Sequence, residues 1–117
     1  MTVDRVTFMP HLDAPTDRPF PFVYFITIHN DSDETVTITG RKWVVTDARG
    51  DTVVVEGDGV VGTVPRLETG EHFAYNSYHT IGADSVAEGA FIGVTDEGTP
   101  VLVRIPQFEM KAPTGNS

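Results

Sequence analysis

Apolar and polar residues alternate along most of the chain with a period of two, and helical recurrence is nearly absent. That period belongs to half-buried strands, because successive side chains leave a pleated backbone on opposite sides. Val, Ile, Thr and Phe dominate the apolar runs, and these residues pack well on a pleated surface. The first strand is predicted over residues 3–9, where Val6 and Phe8 alternate with Arg5 and Thr7. Residues 22–29 are the most apolar: Phe22, Tyr24, Ile26 and Ile28 share one face, and Val23, Phe25, Thr27 and His29 the other. Two partly apolar faces mark a central strand. Alternation resumes over 35–39, Gly40 permits a bend, and residues 41–47 form another strand around Trp43. Further strands are predicted over 52–56, 72–78, 90–95 and 101–105.

Turn chemistry separates these runs. Pro10, Pro15, Pro19 and Pro21 remove too many backbone donors for a ladder, so residues 10–21 read as a connection. Asn30-Asp31-Ser32-Asp33-Glu34 and Asp96-Glu97-Gly98-Thr99 are turns, and Ala48-Arg49-Gly50 is a short hairpin. Residues 57–65 form a glycine-rich loop, residues 80–88 a polar connection, and the tail from 111 is expected to fray. About seven strands at such spacing predict an antiparallel β-sandwich, immunoglobulin-like or fibronectin type III-like, with a small closed barrel as the other all-β solution.

Length and charge narrow the function. With 117 residues and no internal repeat or linker, the chain reads as one domain, residues 1–117. Eight Lys and Arg against 17 Asp and Glu leave a net charge of −9. There is no basic footprint for nucleic acid or for an anionic membrane surface. The absence of cysteine excludes disulfides, thiolate metal sites and a cysteine nucleophile. No apolar run reaches the length of a membrane span, and Met1-Thr2-Val3-Asp4-Arg5 carries no secretory pattern, so a cytoplasmic location is expected.

The sharpest local motif is Gly57-Asp58-Gly59-Val60-Val61-Gly62, formally G-x-G-x-x-G. In dinucleotide-binding folds such glycines bring backbone amides to a pyrophosphate at a helix N-terminus. Here Thr63-Val64-Pro65 and another β pattern follow, so no crossover helix or helix dipole is predicted. Asp58 and Glu56 also place negative charge at the loop. Arg41, Lys42 and Arg66 are the cations that could turn inward to offset it. The glycines then serve either a tight inter-strand turn or a backbone nest for an anion.

Several stretches together resemble the bacterial ApaG family. Arg41-Lys42-Trp43-Val44-Val45-Thr46-Asp47-Ala48-Arg49-Gly50 is similar to its R-x-W-x-I/V-x-D-x-x-G run, and Gly57 to Gly62 with Pro65 to its G-x-G-V-V-G-x-x-P. Leu67, Gly70-Glu71, Phe73, Tyr75 and Ser77 resemble L-x-P-G-E-x-F-x-Y-x-S, with Thr69 in place of the proline. Residues 24–30, Gly89 and Ile105-Pro106-Gln107-Phe108 extend the likeness over about residues 20–108. The resemblance implies an immunoglobulin-like or fibronectin type III-like sandwich with no catalytic role assigned. It links relatives to dinucleoside polyphosphate metabolism and to cobalt and magnesium handling. It also implies, from eukaryotic F-box and DNA polymerase-interacting proteins, a protein-binding module.

Other chemistry is sparse. His11 with Asp13, and His29 with Asp31, have a strand spacing that could supply two metal ligands if a third arrived in space. Asp31, Asp33 and Glu34 could hold a hard cation weakly but lack an EF-hand spacing. Ser77 and His79 share a strand face and Asp84 follows, yet no nucleophile elbow is signalled. Trp43 is expected in the core, as in immunoglobulin domains.

The expectation is therefore a non-enzymatic interaction domain with a protein partner, no resident cofactor and an exposed apolar patch on one sheet face. The alternative is a small-ligand module binding a polyphosphate, nucleotide or divalent cation at the glycine loop. Unpaired sheet edges also leave a homodimer open.

Overall fold

The computed structural model describes residues 2–113. Among them lie β1 (Thr2–Phe8), β2 (Phe20–His29), β3 (Val36–Asp47), β4 (Thr52–Asp58), β5 (Arg66–Leu67), β6 (His72–Ile81), β7 (Ser85–Thr95) and β8 (Pro100–Met110). Every strand pairing is antiparallel. One sheet has the order β1-β2-β6; the other has the order β4-β3-β7-β8, with two-residue β5 beside the start of β3. The chain is all-β and sandwich-like, with a core formed between the sheets by Tyr24, Ile26, Ile28, Ile38, Trp43, Phe91 and their neighbours.

Two β-bulges shape the larger sheet, and both correct the sequence reading. Residues 35–39 and 41–47 are not separate strands. They form one long β3, whose register against β7 shifts between Ile38 and Gly40. One extra residue reverses the inward parity: Val36 and Ile38 are buried before the shift, Trp43 and Val45 after it. The second bulge lies where β8 meets β7, with Ala87 opposite Phe108 but Gly89 opposite Ile105. Pro106, which has no donor, sits in that shift, and β8 continues past it to Met110. Ile105 and Phe108, three residues apart, therefore both belong to the core.

The expected polar connection over 80–88 is mostly strand: β6 runs to Ile81 and β7 begins at Ser85. Beyond Ile81, the buried positions at the start of β7 carry small residues, Ser85 and Ala87, which leave little hydrophobic signal. Much of the expected tail lies outside the described residues. Ala112 is tied down by its amide, which donates to Asp84 Oδ1 at 2.8 Å.

Candidate functional site

The glycine motif folds as a structural hairpin tip. Gly57 and Asp58 end β4, so the turn proper begins at Gly59. Val60 and Thr63 pair through mutual backbone hydrogen bonds of 2.6 and 3.1 Å. The two residues between them, Val61 (φ 43°) and Gly62 (φ 83°), are both left-handed, as a type I′ hairpin turn requires. Gly59 is required for space as well as for its φ of 60°, because a Cβ there would stand 2.1 Å from the Thr63 carbonyl oxygen. Val60 is fully buried and anchors the tip to the core.

Several backbone groups of the motif are already used within the fold, although Asp58 is exposed. The amide of Gly59 donates to Thr39 O at 2.8 Å, and the amides of Val60 and Thr63 are used within the hairpin. Arg41 lies across Gly57 and donates from Nη1 to the carbonyl oxygens of Asp58 (2.8 Å) and Gly59 (3.3 Å). Carbonyls, not amides, thus meet the guanidinium. Lys42 points to the opposite face and approaches Glu56 at 3.4 Å. Arg66 is elsewhere, on β5, held by Asp96 at 2.7 Å and Glu68 at 3.7 Å. The three expected cations are therefore not gathered on one anion-binding hollow. The concavity of about 620 Å³ beside Arg41 and Lys42 also carries Glu56 and Asp58.

The remaining candidates are equally dispersed. Asn30 is buried and spends its side chain on the turn, donating to Glu34 O and Leu67 O and accepting from Ser32. His29 and His72 are cross-strand neighbours. Among the described residues no three His, Asp or Glu side chains gather as a metal site. Ser77, His79 and Asp84 do not assemble: His79 Nε2 is sealed from solvent without a partner, and Asp84 receives the Ala112 amide.

Sequence reasoning missed two features. The first is an aromatic cluster between the sheets, where His79 packs on Tyr24 and edge-on to Trp43, both at 4.8 Å between centroids. Burial pushes the His79 imidazole down to about 4, and burial raises the hydroxyls of Tyr24 and Tyr75. Among the described residues, Trp43 Nε1, Tyr75 Oη and His79 Nε2 all lack hydrogen-bond partners there. The second is the placement of the expected apolar patch, on the outer face of the larger sheet. Ile92 and Leu102 are cross-strand partners on it, 46% and 61% exposed. Beside them a shallow groove of about 470 Å³ is lined by Lys42, Val44, Glu88, Ala90, Leu102 and Arg104, among others. Outward positions of strands predict such a face only once the sheet order is known.

Comparison with known proteins gives the family. The sequence model of the ApaG domain matches residues 10–94, most of the chain. The chain belongs to the ApaG domain family. It is 37% identical over 110 residues to Protein ApaG of Vibrio cholerae, covering 93% of this chain and 87% of that one. Against Protein ApaG of Rhodospirillum centenum it is 40% identical over 118 residues, covering 97% and 91%. The fold matches a putative ApaA protein from Bordetella pertussis with a TM-score of 0.83 at 28% identity, over 93% of this chain and 89% of that one. It matches structural-genomics target SoR45 equally, TM-score 0.83 at 27% identity, over 97% and 86%. The ApaG resemblance read from the motifs therefore holds, and the G-x-G-V-V-G of this ApaG domain is the tip of a β-hairpin.

Proposed function

We propose that this ApaG domain is a protein-binding module rather than an enzyme, and that it docks its partner on the outer face of the β7–β8 half of the larger sheet. The observation that carries the reading is the exposed Ile92–Leu102 pair on an otherwise strand-rigid surface. Paired residues on adjacent strands hold their spacing without an ordering cost, which suits them as anchors for an incoming apolar side chain. Arg104 lines the adjoining groove and, among the described residues, makes no ion pair. The partner surface is therefore apolar with a carboxylate beside it. The acidity of the rest of the chain disfavours broad acidic surfaces and restricts that carboxylate to a local contact.

The test is a capture from native cell extract with the wild-type chain and with Leu102→Asp, followed by mass spectrometry. A specific protein bound by the wild type and lost from the variant, at unchanged melting temperature, supports the reading. A partner retained equally by Leu102→Asp, or no protein captured by either, rejects it.

A further inference from the structure

The larger sheet ends at β4, and we propose that this edge pairs with the β4 of a second copy, antiparallel, across a two-fold axis through Val54. Among the described residues β4 is bonded along one side only, to β3, so half of its backbone donors and acceptors face outward from the sheet. It contains the run Val53-Val54-Val55. Val54 lies opposite Val44 and is 52% exposed, while Val55 lies opposite Trp43 and is 37% exposed, so both faces of the edge are apolar.

The other free edges carry the features that block such pairing. β1 is bulged between Val3 and Arg5 and bears Asp4 and Arg5. β8 contains Pro100 and Pro106, a bulge, and Arg104 and Glu109. β6 interleaves His72, Asn76, Ser77 and Thr80. β4 carries its charges, Glu56 and Asp58, only towards its end, has no proline and no lysine, and keeps an unbroken register against β3 from Thr52 to Asp58. A straight, valine-rich edge is a template for another strand.

The sequence of β4 is also complementary to itself. Antiparallel pairing about a two-fold axis keeps the faces matched when a residue sits on the axis. With Val54 there, Val54 meets its own copy on the outer face, and Val53 meets Val55 twice on the inner face. Thr52 then faces Glu56, Asp51 faces Gly57, and Gly50 faces Asp58, so no carboxylate opposes another. Centring on Val53 sets Asp51 against Val55, and centring on Val55 sets Glu56 against Val54. The Val54 register is the one that keeps apolar against apolar. It joins the two larger sheets into one and brings both outer faces to the same side, whatever those faces bind. Two chains each of charge −9 repel, so the association strengthens with added salt.

The test uses the full chain in light scattering or sedimentation from micromolar to millimolar concentration. The expected result is a mass rising to twice that of the chain, more readily at higher salt. Val54→Lys places like charges opposite each other on the axis and is expected to weaken the dimer by about tenfold or more. The melting temperature in dilute solution should not fall, because the side chain is exposed. The chain has no cysteine, so Val54→Cys introduces a single thiol. Directly opposed antiparallel residues are close enough for a disulfide. Val54→Cys should cross-link on oxidation, and Leu102→Cys, exposed on the same face but away from the edge, should not. A monomer at every concentration, a dimer that survives Val54→Lys, or equal cross-linking of the two thiols would overturn the proposal.

Discussion

The imidazole of His79 lies against the phenol ring of Tyr24, with centroids 4.8 Å apart and planes 29° from parallel, inside the space between the two sheets. A charged imidazolium there would lose its hydration, and burial holds its pKa down to about 4 from an ordinary value near 6.5. Above pH 6.5 both folded and unfolded chains carry a neutral imidazole, and the packing contributes fully. As pH falls from 6.5 towards 4, the unfolded chain binds the proton and the folded one does not, so stability declines. The loss at pH 5 is about 2 kcal/mol relative to neutral pH. Urea unfolding at pH 7 and pH 5 measures it, and His79→Phe should flatten the dependence. An equal pH slope in the variant would assign the effect to other groups.

Tyr75 presents a sealed hydroxyl with no partner, and its ring meets Tyr24 edge-on at 6.3 Å. An unpaired buried hydroxyl opposes folding, so removing it while keeping the ring favours the native state. Tyr75→Phe is expected to raise stability by about 1 kcal/mol in a chemical unfolding titration. A loss of similar size would instead reveal a bound water joining Tyr75 to Trp43 Nε1 or His79 Nε2.

Arg41 and Lys42 are adjacent in sequence but differ in what they hold. Arg41 ties down the carbonyls of Asp58 and Gly59, whereas Lys42 makes one solvent-exposed contact with Glu56. Arg41→Ala should cost about 1–2 kcal/mol and speed hydrogen exchange at the Gly59 and Val60 amides. Lys42→Ala should change stability by less than about 0.5 kcal/mol. Equal effects from the two substitutions would contradict the clamp assigned to Arg41.

Val61 is a β-branched residue at a φ of 43°, half exposed at the hairpin tip. That region is strained for Val and tolerated by Asn. Val61→Asn is expected to stabilise the chain by about 1 kcal/mol, seen as a rise of a few degrees in thermal melting. Val61→Gly should gain less, because the unfolded chain becomes more flexible. A fall in melting temperature with Val61→Asn would show that the valine side chain has a packing role at the tip.

The alternating pattern by itself determined the fold class and the central place of β2. Side-chain alternation is a local consequence of the pleat, and turn residues such as those after Asn30 act within a few positions. The ApaG likeness was equally legible, because its motifs are contiguous. The tertiary structure decided the rest. A bulge adds one residue and reverses the faces, and nothing in Thr39-Gly40 alone states whether a strand ends or continues through it. Likewise, no spacing along the chain could foresee that Arg41 would close on the carbonyls of the glycine turn while Arg66 paired with Asp96, 30 residues away. Sheet order brought Ile92 beside Leu102 and left the valines of β4 at an edge, since a strand's own residues specify its faces but not which distant strand lies next to it.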